Sequence, residues 1–198
     1  VDLAACYRLV ALFGWDDLVF THISARVPEA DDQFLINPYG LFFEEITASS
    51  LVNIDLEGRK VAPSAHDVNE AGFTIHSAIH MGRSDVVCVL HTHTRAGVAV
   101  ASLKQGLLPL NQFALQFYGR LAYHDYEGIA LDLDERQRII ASLGAHPALI
   151  LRNHGLLTVG RSVAEAFILM LYLERSCEVQ LATQATGAEL LMPSPEVR

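Results

Sequence analysis

Histidines are the residues of this chain whose placement points most clearly to chemistry. His91 and His93 directly follow residues 86–90, a run of five apolar residues that includes three valines. Such a run predicts a β-strand buried on both faces. Residues two apart in a strand point to the same face, so the two imidazoles should converge where the strand leaves the sheet. His154 lies just beyond a second apolar strand, predicted at 148–151.

If these two strands are neighbours, three imidazoles meet at one end of the sheet. Three nitrogen ligands with open coordination positions are typical of a catalytic divalent metal, most often zinc. We therefore predict that His91, His93 and His154 bind one divalent cation, with zinc preferred and manganese or cobalt as alternatives. The opposing interpretation is that the His-x-His pair holds no metal and that His154 is a turn residue. Both interpretations stay open, because the sequence does not show whether the two strands are adjacent.

Glu70 is a candidate general base, because a carboxylate beside a metal-bound carbonyl compound can remove a proton from the adjacent carbon. It fits equally well as an acidic residue favoured by the dipole in the first turn of a helix. On the same predicted helix, His76 and His80 lie four residues apart and share a face. Some zinc sites use this spacing, but the glutamate that a metalloprotease carries directly after the first histidine is missing. Surface or capping roles are the preferred interpretation for both.

Two short polar segments are candidates for binding the substrate, particularly an anionic group on it. One lies within residues 21–24 of a predicted strand, and the other is the turn at residues 37–40, which presents backbone amides and an amide side chain. Ordinary turn and strand-edge chemistry explains both segments as well. The candidate substrate-binding residues are Thr21, His22, Ser24, Asn37, Tyr39 and Gly40.

The remaining pattern predicts the elements that must position these side chains. Periodicity and caps predict helices at 3–13, 68–81, 96–103, 133–143 (beginning near Asp132 or Asp134) and 163–183. Alternation or apolar runs predict strands at 18–27, 34–36, 51–55, 86–90, 148–151 and 156–159. Strands mixed with helices throughout predict an α/β fold with a central sheet covered by helices, and we expect a single domain over residues 1–198.

Composition narrows the classes of partner. The chain has 198 residues, of which 51% are hydrophobic, and a net charge of −9. This acidic balance argues against nucleic acid or an anionic membrane surface as the main partner and leaves a small molecule as the expected one. None of the apolar runs approaches the length of a membrane span. The three scattered cysteines have neither metal nor redox spacing and suit a reducing compartment, so we expect a cytoplasmic protein with buried thiols.

Taken jointly, several motifs spread over about residues 9–184 resemble the class II aldolase/adducin family, and they are most similar to its adducin-like branch. They are Thr21-His22-Ile23-Ser24-Ala25-Arg26, Leu35-Ile36-Asn37-Pro38-Tyr39-Gly40, Glu45-Ile46-Thr47-Ala48-Ser49-Ser50-Leu51-Val52, Gly72-Phe73-Thr74-Ile75-His76-Ser77-Ala78-Ile79-His80, His91-Thr92-His93-Thr94 and Leu151-Arg152-Asn153-His154-Gly155. The resemblance implies a three-layer α/β/α fold with a mostly antiparallel central sheet. It also implies a homo-oligomer, commonly a homotetramer, with sites at subunit boundaries.

The resemblance further implies an activity. The family's sugar-phosphate aldolases bind zinc through three histidines that match His91, His93 and His154, whereas animal adducin heads lack the His-x-His pair. We therefore expect a metal-dependent lyase that cleaves or decarboxylates a small hydroxycarbonyl or oxo-acid compound through a metal-stabilised enediolate. The alternatives are a non-catalytic domain of adducin type, which self-associates or binds a cytoskeletal partner, and a sugar epimerase that uses the same metal.

The chain departs from the aldolase pattern at positions that matter for chemistry. The position that matches the aldolases' catalytic glutamate is Gly72, which puts the role of Glu70 in question. The aldolases' phosphate-binding serine pair is absent, so a phosphorylated sugar is a less favoured substrate. Their catalytic tyrosine has no match in its aligned region, and the sequence does not choose a substitute among Tyr118, Tyr123 and Tyr126.

Overall fold

A computed structural model describes residues 1–129 and 134–197 of the chain. The helices within these residues are α1 (Asp2–Leu12), α2 (Glu70–Gly82), α3 (Arg95–Ala101), α4 (Gln112–Leu115), α5 (Glu135–Leu143) and α6 (Val163–Ala185), with a short 3-10 helix at Phe43–Glu45. The strands are β1 (His22–Val27), β2 (Ala30–Ile36), β3 (Val52–Asp55), β4 (Cys88–Thr92), β5 (Leu121–His124), β6 (Ala148–Leu151) and β7 (Gly155–Gly160).

The seven strands form one sheet in the order β3-β2-β1-β4-β7-β6-β5. Neighbouring strands are antiparallel throughout, except that β5 runs parallel to β6. Strand β4 therefore lies at the centre, between β1 and β7. Its register places His91 opposite His22 on one side and opposite Leu157 on the other. The end of β4 that carries His91 is thus adjacent to the turn between β6 and β7.

Helices cover both faces of the sheet, and the alternation of side chains along each strand supplies both interfaces. Leu90 of β4 packs in one core with residues of α1, α3 and α6. Its neighbour Val89 points the other way, into a second core formed with α2 and α5. These two cores account for the unbroken apolar strands, because a strand covered on both faces has no solvated side. The predicted three-layer α/β/α fold with a mostly antiparallel sheet is confirmed.

Several predicted boundaries change in the structure. The strand predicted at 18–27 begins only at His22, because Leu18 has a left-handed φ of 52° and the Phe20 N–H bonds to the Asp17 carbonyl, which makes a turn. Strand β5 and the four-residue helix α4 are not predicted from the sequence, because both are too short to show a clear period. Of the helix predicted at 133–143, Leu133 lies outside the described residues, as does Asp132.

The longest helix, α6, begins where the sequence predicts. The Ser162 hydroxyl accepts a hydrogen bond from the Glu165 N–H and caps the first turn. Across the described residues we find no helix with the length and apolarity required to cross a lipid bilayer. The three cysteines are unpaired and buried, as predicted.

Candidate metal centre and cavity

The structure brings His91, His93 and His154 together at the end of β4. The Nε2 atom of His93 lies 2.9 Å from the Nε2 atom of His91 and 2.9 Å from that of His154. One nitrogen from each of the three rings falls within 4.8 Å of the other two. Among the described residues, no other group of three or more histidine, cysteine or acidic side chains converges in this way.

The turn between β6 and β7 makes this convergence sterically feasible. Asn153 adopts a left-handed φ of 57°, a conformation in which asparagine is favoured over most residues, and the chain reverses there to present His154. Gly155 follows directly. A Cβ at Gly155 would lie 2.3 Å from the Thr92 carbonyl oxygen and 3.2 Å from Cδ2 of His93. Only glycine therefore lets β7 approach β4 closely enough to place all three imidazoles at one point.

His91 and His93 each make a hydrogen bond through Nδ1, which fixes the ring proton there and leaves Nε2 free to bind a metal. The Nδ1 atom of His91 lies 2.9 Å from the Leu156 carbonyl oxygen, and Nδ1 of His93 lies 3.0 Å from a carboxylate oxygen of Asp17. Both acceptors require N–H at Nδ1, so neutral rings present bare lone pairs at Nε2. Two lone pairs held 2.9 Å apart repel each other unless a cation lies between them. The residues present therefore fit a metal ion.

Burial keeps two of the rings in the neutral form that binds metal. Desolvation holds the pKa of His91 well below its ordinary value of 6.5, and the nearby His154 and His93 rings lower it further. Desolvation also lowers the pKa of His154 to about 4, with smaller contributions from His93 and His124. Metal competes with protons for these nitrogens, so neutral rings bind without first losing a proton.

Beside the three histidines lies an open cavity of about 640 Å³. His93 and His154 form part of its wall, while His91 is fully buried behind them. Its other lining residues are Asp17, Phe20, His22, Tyr39, Val68, Asn69, Glu70, Ala71, Ile75, Tyr126, Gly128 and Ile129. The size suits a small molecule, and the mixture of apolar wall and a few polar groups is typical of a ligand site.

The candidate base Glu70 lines this cavity from an exposed position at the first residue of α2. The Asn69 side chain caps that helix by accepting hydrogen bonds from the N–H groups of Ala71 and Gly72. Glu70 thus faces the same space as the metal centre, and its role as the base stays a prediction.

Gly72 explains how His22 comes to face the cavity. A Cβ at Gly72 would lie 2.6 Å from Cδ2 and 2.9 Å from Cγ of His22. The His22 ring therefore occupies the space that a side chain at position 72 would need. Where the resemblance places a catalytic glutamate in aldolases, this chain places an imidazole contributed by β1.

The six candidate substrate-binding residues divide into two groups. His22 and Tyr39 line the cavity, whereas Thr21, Ser24, Asn37 and Gly40 do not. Ser24 is fully buried and hydrogen-bonds to two histidines, and the Asn37 side chain is held by the hydroxyl of Tyr7. Ser24 and Asn37 thus lie behind the cavity wall, where they can orient the residues that line it.

Of the three tyrosines that the sequence left open, Tyr126 lies at the cavity. Its ring centroid is 6.4 Å from that of His154, and 55% of the residue is exposed. The Tyr123 hydroxyl instead accepts a hydrogen bond from the Leu107 N–H, and Tyr118 lines a separate pocket. Proximity therefore favours Tyr126 for any part in the chemistry.

The preferred interpretation of His76 and His80 as surface or capping residues is wrong. His76 is fully buried and His80 is 2% exposed. Both rings point to Ser24 of β1 rather than to the three metal-binding candidates, at 2.5 Å from Nδ1 of His76 and 2.8 Å from Nε2 of His80. Their i,i+4 spacing places them on the face of α2 that packs on the sheet, which explains their burial.

Asp17 is the functional candidate that sequence reasoning missed, because it lies in a turn without a motif of its own. We expect Asp17→Ala to reduce zinc affinity by about 10–100-fold, since His93 would lose the acceptor that fixes its tautomer. Competition with a chromophoric chelator measures the change. Asp16→Ala is the matched control and should leave affinity unchanged, while equal affinities for the two variants would contradict the assigned role of Asp17.

Comparisons with known proteins agree with this fold. The family model described as Class II Aldolase and Adducin N-terminal domain matches residues 1–181. A Pseudomonas aeruginosa protein, provisionally named an aldolase class 2 protein, is 61% identical over 191 residues, which are 96% of this chain and 73% of that protein. The solved structure of L-fuculose 1-phosphate aldolase from Glaciozyma antarctica is 35% identical, with a TM-score of 0.89, and the match covers 98% of this chain and 76% of that one.

Adducins are also among the proteins similar to this chain. Alpha-adducin from Rattus norvegicus is 49% identical over 188 residues, which are 93% of this chain but only 25% of the adducin. The chain thus spans a quarter of the length of that relative. The chain belongs to the class II aldolase and adducin family.

Proposed function

We propose that this chain is a divalent-metal-dependent lyase that acts on a small hydroxycarbonyl or oxo-acid compound by aldol cleavage or decarboxylation. The observation that carries the proposal is the set of three imidazoles whose nitrogens converge beside an open cavity. Two of these nitrogens, the bare Nε2 atoms of His91 and His93, lie only 2.9 Å apart, an arrangement that a bound cation would stabilise. Zinc is the preferred metal, because a site of three histidines with a free position is typical of catalytic zinc.

In this proposal, some side chains bind the cation and others transfer protons. His91, His93 and His154 would hold the divalent cation, which would supply Lewis-acid stabilisation of negative charge on substrate oxygens. Asp17 orients His93. Val68 and the buried Ile75 form an apolar part of the wall and limit the access of water from that side.

Bond cleavage of the aldol type also needs a group that accepts the proton of a substrate hydroxyl and a group that returns a proton to carbon. Four ionisable side chains besides the candidate metal-binding histidines and Asp17 line the cavity, namely His22, Tyr39, Glu70 and Tyr126. Gly72 contributes no carboxylate, so the base must come from among these four or from a neighbouring subunit. A phosphorylated substrate is less favoured, because the serine pair that holds phosphate in the aldolases is absent.

We further propose that the chain works as a cytoplasmic homotetramer with its sites at subunit boundaries. Exposed aromatic and apolar side chains surround the cavity mouth, including Phe20 at 46%, Tyr39 at 47% and Ile129 at 74% exposure. Exposed apolar side chains grouped in this way are better suited to contact with another protein subunit than to contact with water. Light scattering coupled to size-exclusion chromatography tests the oligomeric state.

The second candidate function is binding without catalysis, of the adducin type. The 49% identity to rat alpha-adducin and the glycine at position 72 favour it. In that case the chain would self-associate or bind a protein partner, and the histidine site would be a remnant.

A turnover assay separates the two functions. The purified protein, loaded in turn with zinc, manganese and cobalt, is supplied with hydroxycarbonyl compounds, oxo-acids and L-fuculose 1-phosphate. Aldehyde release and CO₂ release are recorded separately, which distinguishes cleavage from decarboxylation. We expect metal-dependent turnover of at least one compound, lost in His154→Ala and retained in the control His146→Ala. Absence of turnover with every metal would favour the binding function.

A further inference from the structure

A chain of four hydrogen-bonded side chains leads from the cavity wall into the interior between β1 and α2. Nδ1 of His22 lies 2.8 Å from Nε2 of His76. Nδ1 of His76 lies 2.5 Å from the Ser24 hydroxyl oxygen, which lies 2.8 Å from Nε2 of His80. We call these four residues the histidine relay: His22, His76, Ser24 and His80. The relay has three consecutive contacts, with His22 at one end and His80 at the other.

The relay is buried along its whole length. His76 and Ser24 are fully buried, His80 is 2% exposed and His22 is 3% exposed. Desolvation is the main cause that holds the pKa of His22 and of His76 well below 6.5 and lowers that of His80 to about 3. The three imidazoles are therefore neutral at physiological pH, each with one proton and two ring nitrogens.

Neutrality couples the positions of these protons. Only one proton can occupy the contact between His22 and His76, so a proton on Nδ1 of His22 leaves Nε2 of His76 bare and puts that ring's proton on Nδ1. The Ser24 hydroxyl then accepts from His76 and donates to Nε2 of His80, whose own proton must be on Nδ1. Reversing every bond moves all three ring protons to Nε2. The Ser24 hydroxyl has no other hydrogen-bond partner among the described residues, so accepting from both rings would leave its own buried proton without an acceptor. It therefore donates to one of the two rings, and the three histidines share one tautomer.

The inner end of the relay favours one of these two arrangements. Nδ1 of His80 is buried and has no hydrogen-bond partner among the described residues. A proton there would be an orphaned buried donor, whereas a bare nitrogen leaves only an unsatisfied acceptor, which folded proteins tolerate better. The arrangement with all protons on Nε2 is thus the more stable one.

The outer end of the relay meets the cavity. His22 lines the cavity, and no hydrogen bond joins its Nε2 atom to any described residue. Gly72 has no side chain to cover this edge of the ring, since a Cβ there would lie only 3.1 Å from Nε2. Because His22 lines the cavity and its Nε2 atom has no partner among the described residues, a proton on Nε2 can be donated to a molecule bound in the cavity.

We propose that Ser24, His76 and His80 are positioning residues that fix His22 as a hydrogen-bond donor, through its Nε2–H, to an oxygen of the substrate. This inference rests on the proposed function for the identity of the bound molecule. A fixed donor beside the three metal-binding candidates favours a substrate with a carboxylate oxygen in addition to its carbonyl, so among the proposed substrates it favours oxo-acids.

Histidine tautomers measured by ¹⁵N NMR on the metal-free wild-type protein test the inference without any activity assay. Single histidine-to-glutamine variants assign the signals. We expect His22, His76 and His80 each to show a protonated Nε2 and a bare Nδ1. A proton on Nδ1 of any one of the three would overturn the inference, whatever the outcome of the turnover assay.

Ser24→Ala tests the coupling itself. Loss of the hydroxyl separates His80 from His76, so we expect the His22 signal to change from one tautomer to a mixture. Ser77→Ala is the matched control, since Ser77 is buried on the same helix but bonds to the Thr74 carbonyl outside the relay. In active protein, Ser24→Ala should raise KM for oxo-acids at least several-fold more than it lowers kcat. An unchanged His22 tautomer in Ser24→Ala would contradict the coupling.

Discussion

Replacing His91 with alanine should abolish specific metal binding and any metal-dependent turnover while leaving the fold intact. The remaining two imidazoles hold a cation far less well than three, and loss of a ligand should exceed the 10–100-fold cost of losing a ligand's supporting hydrogen bond. We therefore expect zinc affinity to fall by more than about 100-fold. Chelator competition measures the affinity, and circular dichroism checks the fold.

His146→Ala is the matched control for this experiment. His146 lies at a different pocket, beside Arg83 and Arg161, and belongs to neither the metal-binding candidates nor the histidine relay. Its replacement should leave metal affinity at the wild-type value. Zinc binding by His91→Ala at wild-type affinity would show that the cation lies elsewhere.

Replacing Tyr7 with phenylalanine should have the largest effect on stability. The Tyr7 hydroxyl is fully buried and accepts hydrogen bonds from the N–H groups of Ile23, at 2.7 Å, and Asn37, at 3.1 Å. It also contacts the Ile23 carbonyl and lies 2.8 Å from the Asn37 side-chain oxygen. Loss of the hydroxyl leaves two buried donors unpaired, at a cost of about 1–3 kcal/mol each.

We therefore expect the free energy of unfolding of Tyr7→Phe to fall by about 2–6 kcal/mol in urea titrations. Tyr118→Phe, at a half-exposed position, should change it by less than about 0.5 kcal/mol. Equal stability of the two variants would contradict the role given to the Tyr7 hydroxyl. Because Tyr7 anchors Asn37 beside the turn that carries Tyr39, its loss should also weaken substrate binding.

The convergence of His91 and His93 was predictable because its signals are local. The apolar run before His91 identifies a buried central strand, and the spacing of His91 and His93 places both rings on one face. The pairing of β4 with β7, which brings in His154, is a long-range contact that periodicity does not encode. The resemblance to a known family supplied that link, and the structure then showed why Gly155 allows it.

The supporting residues were not predictable, because their roles depend on tertiary contacts. Asp17 reaches His93 only because the chain turns at Leu18 instead of continuing as a strand. His76 and His80 look like residues of an amphipathic surface helix until α2 is placed on the sheet. The His22 ring occupies the space that a side chain at position 72 would need, and this contact between residues 50 positions apart is visible only in the coordinates.

Anomalous diffraction from crystals grown with zinc tests the central claim most directly. We predict one strong peak per chain that lies about 2.0–2.1 Å from Nε2 of each of His91, His93 and His154. A peak at another site, or none at this one under saturating zinc, would contradict the account and leave the binding function as the better description of the protein.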